Sequence, residues 1–281
     1  MKKIIALAIT VLLALSLFAC AQEEELDDTI DNYTGGNSTH RLTAEQGGGT
    51  LTFSNEGFAD SAIITDYTGP AKLHTAEIPA IVGDTEKEVT GIGDEAFRFT
   101  TTLTEITLPD TVTFIGKQAF AGCTALEKIV IPESVTHIDE MAFQGCTALK
   151  TVVFEGNALV TIDNFAFEGC TSLENIVLPE GLESIGMAAF GDCKSITKLT
   201  MPSTLKTIGE LAFCGCSGLN TEGAITLSAS IEEIADSAFA EVTDPASGYY
   251  FAGINKYFIV APEGSYAAEF VAKMPEPKVE D

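Results

Sequence analysis

Seven phenylalanines, Phe97, Phe120, Phe143, Phe167, Phe190, Phe213 and Phe239, each follow an alanine and stand 23, 23, 24, 23, 23 and 26 residues apart. Around each the same phrase returns, as over Ile115 to Pro132: Ile-Gly-Lys-Gln-Ala-Phe-Ala-Gly-Cys-Thr-Ala-Leu-Glu-Lys-Ile-Val-Ile-Pro. Self-similarity at one period of about 20 to 50 residues is the mark of a repeat architecture. One such unit has an apolar side and nothing within itself to cover it. Only stacking on identical neighbours buries Phe, Leu and Ile in continuous columns, so the period itself predicts a solenoid.

Each unit reads as one turn of a coil. The Leu-x-x-Ile-x-Leu stretch, as in Leu173, Ile176 and Leu178, has the alternation of a strand with its apolar residues turned inward. Pro109, Pro132, Pro179 and Pro202 end that strand, because proline cannot donate to a ladder and fixes its own φ. A second apolar pair, such as Val135 with Ile138 or Leu182 with Ile185, predicts a further extended segment. Gly116, Asp139, Asp163, Gly186 and Gly209 then open a brief stretch carrying Ala-Phe, which is expected to be helical or 3-10 with those residues as N-caps. At ~4.8 Å between strands, seven or eight coils give a body roughly 35 to 40 Å long.

The recurring phrase Ile-Gly-x-x-Ala-Phe-x-Gly-Cys-x-x-Leu-x-x-Ile-x-Leu-Pro resembles that of the BspA-like, or treponemal-type, leucine-rich repeat family of bacterial surface proteins. The resemblance spans about residues 62 to 270. It implies a leucine-rich-repeat solenoid: a parallel β-strand stack with short helical or 3-10 segments, capped at both ends. It also implies a binding protein of the adhesin or host-contact type, since the family has no shared catalytic residues. Two units depart from the pattern. Glu155-Gly156-Asn157 replaces the proline and lengthens one coil, and Asn220 to Gly223 swells another while Ser228 takes the proline's place. Both are expected to bulge on one side of the solenoid.

The ends and the flanks give the remaining organisation. Lys2 and Lys3 precede an apolar run from Ile4 to Leu15, the plan of a signal peptide over residues 1–19; the run is short for a bilayer span of ~20 residues. Leu17-Phe18-Ala19-Cys20 resembles a bacterial lipobox, which would make Cys20 the acylated first residue of the exported chain. Ala19-Cys20-Ala21 also suits ordinary cleavage after Ala21, which would secrete it. Residues 20–47 read as the lipidated N-terminus and a flexible acidic tether. Residues 48–92 read as an N-terminal cap with an irregular first coil, the acidic insertion Gly83 to Glu88 forming its loop. Repeats occupy 93–240. A C-terminal cap follows over 241–272, with a strand at Phe258 to Ala261 and a closing helix from Ser265 to Lys273, and residues 273–281 read as a disordered tail.

The net charge is −26, and −28 without Lys2 and Lys3. Such acidity keeps an exported protein soluble and makes nucleic acid a poor partner, because phosphate contacts need clustered Lys and Arg.

Residues that could carry chemistry do not assemble into a catalytic set, so the chain reads as no enzyme, with no cofactor and no metal. Of its seven cysteines, Cys123, Cys146, Cys170, Cys193 and Cys216 share one repeat position. They are expected to form a column of buried thiols, with Cys214 off the column and more exposed. His40, His74 and His137 lie far apart in sequence, and His137 is expected to project outward with Phe114 and Thr161 as its counterparts in neighbouring coils. Asp94 and Asp236, three residues before their phenylalanines, and Asp139 and Asp163, four before, stand where the Ala-Phe segment opens, and helix capping explains them more simply than calcium. Gly47-Gly48-Gly49 has no following Lys or helix, as a phosphate loop would need.

The outward positions of the main strand are the functional candidates. Thr107, Val130, Val153, Val177, Thr200 and Thr226 give one β-branched residue per coil, flanked by Glu105, Lys128, Thr151, Asn175 and Lys198. β-Branched residues suit any strand. An exposed apolar strip rimmed by polar groups also suits a macromolecular partner at the cell surface. The expectation is therefore a lipid-anchored surface protein that contacts a macromolecule through this face, with Lys128 and Lys198 beside it. The alternative is an envelope structural or assembly component that binds other surface proteins of its own cell.

Overall fold

The computed structural model describes residues 38–41, 49–54, 61–69, 75–82, 86–221, 223–240 and 256–274. The signal segment, Cys20, His74 and the C-terminal tail from residue 275 lie outside the described residues, as does most of the tether.

The chain winds as a parallel β-solenoid in which each repeat lends one strand to each of two walls. Both extended segments expected from the sequence are present. The second apolar pair builds the longer wall: Phe114–Ile115, His137–Ile138, Thr161–Ile162, Ser184–Ile185, Thr207–Ile208 and Glu233–Ile234 pair in parallel, coil on coil. The main strands form the other wall and divide into two sheets. Thr75–Glu77, Glu105–Thr107, Lys128–Ile131, Thr151–Phe154 and Asn175–Ile176 make a five-stranded sheet, and Leu199–Thr200, Ile225–Thr226 and Ile259–Val260 a three-stranded one.

Between the walls the apolar columns are closed from water. All seven repeat phenylalanines are buried. Their rings stack from Phe97 to Phe239 at centroid distances of 5.0 to 5.5 Å and interplanar angles of 2 to 11°. Each such pair contributes roughly 0.5 to 1.5 kcal/mol beyond the burial of its area. The column continues into both caps. Tyr67 stacks on Phe97 at 5.2 Å, and Phe270 of the closing helix tilts against Phe239 at 6.3 Å.

The Ala-Phe segment is not helical. It is a run of turns whose backbone alternates into the left-handed region at Glu95, Gln118, Met141, Phe165, Ala188 and Leu211. Its N–H groups alternate between two kinds of partner: Phe97 N, Phe120 N and Phe143 N donate across coils to Ala119 O at 2.8 Å, Ala142 O at 2.7 Å and Ala166 O at 2.7 Å, while those between, such as Ala119 N and Ala121 N, donate three residues back to Gly116 O at 3.2 Å and Gln118 O at 3.0 Å. The neighbouring coil offers carbonyls at strand spacing, so every second donor is satisfied sideways and the single turns never run on into a helix. The N-cap expectation changes with it. Asp94 Oδ1 accepts from Lys117 N of the next coil at 2.8 Å, and Asp163 Oδ1 from Asn164 N at 2.7 Å.

At the first end, in the stretch read as a cap, Thr50–Ser54 and Ser61–Thr68 pair antiparallel and are joined in parallel to Lys87–Ile92. Ser38–Arg41, within the stretch whose composition reads as tether, pairs antiparallel with Thr50–Ser54 and takes up an edge that would otherwise stand open. Lys87 and Glu88 belong to a strand, so the acidic insertion is shorter than its composition suggests. At the other end Ile259–Val260 pairs with Ile225–Thr226. The helix Tyr266–Lys273 closes the stack, with Ser265 Oγ capping it by accepting from Ala268 N at 3.1 Å.

Candidate functional site

The candidate ribbon lies on the outer face of the main-strand wall, where alternation turns Ile106, Ile129, Val152 and Ile176 into the core and their neighbours outward. The register places Val130 opposite Val153, Thr200 opposite Thr226 and Thr226 opposite Val260. Thr107 and Thr200 are exposed, and Val130 and Thr226 half-buried. Val153 is 38 %, Val177 84 % and Val260 52 % exposed. Three of the large apolar side chains open to water therefore line one face, and Val260 was not among the residues singled out from the sequence because its repeat lies beyond the last Ala-Phe phrase.

The ribbon is not continuous. The five-stranded sheet ends at Ile176, and Val177 follows directly on its last paired residue, with the next main strand in the separate three-stranded sheet. That break accounts for the exposure of Val177, which has no cross-strand neighbour to cover it.

Lys128 and Lys198 stand exposed beside the ribbon, two positions before Val130 and Thr200. Their charges differ from the other cations of the repeats in one respect. Arg98 pairs with Glu95 at 2.8 Å, Lys117 with Glu140 at 2.7 Å, Lys150 with Glu127 at 2.9 Å, Lys194 with Asp192 at 3.5 Å and Lys206 with Glu183 at 2.7 Å. Among the described residues, Lys128 and Lys198 have no such ion pair. Glu105 is the cross-strand neighbour of Lys128, yet the two do not come within ion-pair distance.

The remaining candidates fall into structural places. Cys123, Cys146, Cys170, Cys193 and Cys216 are buried free thiols. Each donates its S–H to the carbonyl of the phenylalanine one coil back, from Cys123 to Phe97 O at 3.0 Å through Cys216 to Phe190 O at 3.0 Å. Burial pushes the Cys123 thiol up to about 12, and the others of the column rise as well. These sulfurs face backbone, which suits neither nucleophile nor bridge. Cys214 is half-buried against a separate apolar cluster of Phe165, Ala188, Leu211 and Ala240. His137 is exposed between Phe114 and Thr161, and its Nδ1 lies 2.8 Å from Thr136 Oγ1. Among the described residues no group of three His, Cys, Asp or Glu side chains is placed to hold a metal ion.

One residue of this region escaped the sequence reading. Glu168 is buried beside the glycine of its repeat, accepting from Gln144 Nε2 at 2.6 Å. Its carboxyl is held above the usual range, chiefly by burial and then by Asp192, against the lowering effect of Gln144. The phrase gives no signal for it, because the corresponding positions hold Ala121, Gln144 and Gly191.

The family described as BspA type Leucine rich repeat region matches residues 83–160 and 156–251, in six copies. Among solved structures, a leucine-rich repeat protein of T. pallidum is 28% identical with a TM-score of 0.59, and the match covers 69% of this chain and 86% of that one. A leucine-rich repeat protein of Bacteroides ovatus is 29% identical with a TM-score of 0.57, over 68% of this chain and 53% of the other. No curated protein matches the chain.

Proposed function

The chain belongs to the BspA-type leucine-rich repeat family, and from that premise we propose that it is a binding protein held on the outside of the cell by a lipid at Cys20, contacting a macromolecule through the main-strand face. Repeat proteins of this class work as extended binding surfaces, each coil adding one row of side chains to a rigid wall. The observation that carries the choice of face is the coincidence of Val153, Val177 and Val260, all open to water, with the two lysines of the repeats that have no ion pair. The opposite wall lacks this combination. Its outward row holds Phe114, His137, Thr161, Ser184 and Thr207, with Thr207 Oγ1 donating to Ser184 Oγ at 2.9 Å and Lys206 tied to Glu183.

The test is a photo-crosslinking pull-down from intact cells, with the crosslinker at Thr200 on one protein and at His137 on another. A partner should be captured from Thr200, not from His137, and Val177→Asp should abolish its capture. Capture from His137 alone would move the site to the other wall. In the same cells Cys20→Ala should release the protein from the membrane fraction, and undiminished attachment would remove the anchor from the reading.

A further inference from the structure

The two unpaired lysines also indicate what kind of partner the face takes. Cations are scarce in this chain, 15 Lys and Arg against 41 Asp and Glu. Within the repeats they are otherwise spent on carboxylates of the same or the adjacent coil. Among the described residues of the repeats, Lys128 and Lys198 alone are left to an outside anion, and both stand at the position immediately beside the apolar row. Six successive outward positions, Thr107, Val130, Val153, Val177, Thr200 and Thr226, carry no charge, and on the flanking row the one carboxylate, Glu105, lies a coil outside the span from Lys128 to Lys198.

Lys128 lies three coils from Lys198, with Thr151 and Asn175 in the places between; the pairing of the main strands carries the first two steps, and across the break after Ile176 the pairing of Ser184–Ile185 with Thr207–Ile208 in the other wall carries the third. At ~4.8 Å per coil that separation is about 14 Å along the solenoid axis, the reach of four residues of extended chain at ~3.4 Å each. Residues i, i+2 and i+4 of an extended chain point to one side. A segment laid along the axis thus meets Lys128 and Lys198 with its residues i and i+4, while residue i+2 falls between them beside Val153 and Val177. Resting on the reading of this wall as the binding face, we infer that it takes an extended acidic segment of a partner protein, carboxylate-x-apolar-x-carboxylate. The carboxylates pair with Lys128 and Lys198, and the apolar residue seats against Val153 and Val177. The pairs are solvent-exposed, so they select the partner and orient it more than they tighten it.

The probe is a fluorescein-labelled extended peptide with two glutamates four positions apart and a valine midway, titrated against the full chain by anisotropy. A peptide with lysines in place of the glutamates is the control. The acidic peptide should bind and the basic one should not. Lys128→Glu and Lys198→Glu should each weaken binding by roughly two- to fivefold, the scale of one exposed ion pair. The double variant should instead prefer the basic peptide, an exchange that loss of folding cannot produce. Lys206→Glu, on the other wall, should change nothing.

Equal binding of both peptides, no binding of either, or indifference to Lys198→Glu would overturn the inference. The face itself would still stand if crosslinking from Thr200 captured a partner, so the two failures are separable. The same pattern occurs in this chain at Glu24, Leu26 and Asp28. Neutralising Glu24 and Asp28 should leave the peptide's affinity unchanged. A severalfold rise would overturn the partner's claim by assigning the wall to the chain's own acidic segment.

Discussion

At the scale of single residues, one position in the repeat can hold quite different side chains because its neighbours one coil away decide what it meets. Glu168 stands where other coils place Ala121 or Gly191, and its carboxylate is buried against Gln144. Burial raises its folded pKa above the ordinary 4.5. The folded state therefore holds the proton to higher pH than the unfolded chain does. The cost of the buried charge is absent below the unfolded value and grows as pH rises through the folded one. Glu168→Gln keeps the bond from Gln144 and removes the charge. The variant should match the parent below about pH 4 and exceed it at pH 7 by up to about 1 kcal/mol, the scale of one buried polar contact. Urea unfolding at both pH values is the measurement, and a loss of stability at pH 7 would mean that the charged form is favoured in the fold.

At the scale of one structural element, the turns that join the walls rely on glycine for two separate reasons. Gly145 has φ +71°, and a Cβ there would meet only Gly122 N at 4.0 Å. Gly181 has no positive φ, but its Cβ would overlap the backbone carbonyl of Asn157 in the coil before. Gly145→Ala should then cost about 1 to 2 kcal/mol, the penalty of a left-handed residue with a side chain. Gly145→Asn should recover part of that, since asparagine tolerates the conformation. Gly181→Ala forces two coils apart and should cost at least the ~1 to 3 kcal/mol of an overpacked core, with no recovery from asparagine. Denaturant midpoints of these three variants and of Gly181→Asn decide this, and an asparagine that rescued position 181 would contradict the steric account. The lateral hydrogen bonds of the Ala-Phe turns belong to this scale as well. Phe120 N and Ala142 O, 2.7 Å apart, are 22 residues apart in sequence, so no local propensity could announce them.

At the scale of the whole molecule, the solenoid has contacts only between adjacent coils and its two caps, so damage should spread by steps. Phe143 is wholly buried, with Phe120 and Phe167 stacked on either side of it at 5.1 and 5.0 Å. Phe143→Ala should cost about 3 to 5 kcal/mol. Hydrogen exchange should then speed up first in the coils around Phe120, Phe143 and Phe167, while those near Phe213 keep their protection. Uniform loss across every coil would show one cooperative unit instead of a stack. The break in the main-strand wall between Ile176 and Leu199 is the natural border for such partial unfolding, because there the second wall alone carries strand pairing from coil to coil.

The period of the sequence by itself determined that the chain is a stack, which residues form its columns and which face water. A 23-residue phrase repeats its environment along with its letters, so the burial of Phe97 to Phe239 and of the five-cysteine column was legible from spacing alone. The same logic placed Thr107, Val130, Val153, Val177, Thr200 and Thr226 outward on one wall. Tertiary structure decided whatever depends on the distance between coils. It turned the expected helical segment into separate turns, because every second N–H there donates to the carbonyl of a neighbouring coil and so breaks the run of bonds a helix needs. It added Ser38–Arg41 to the first sheet, because an open edge pairs with whatever chain lies near. It also separated Lys128 and Lys198 from the paired cations, since only the three-dimensional placement of the side chains decides which carboxylates come within reach: Glu105 lies opposite Lys128 in the adjacent coil, yet the two do not pair.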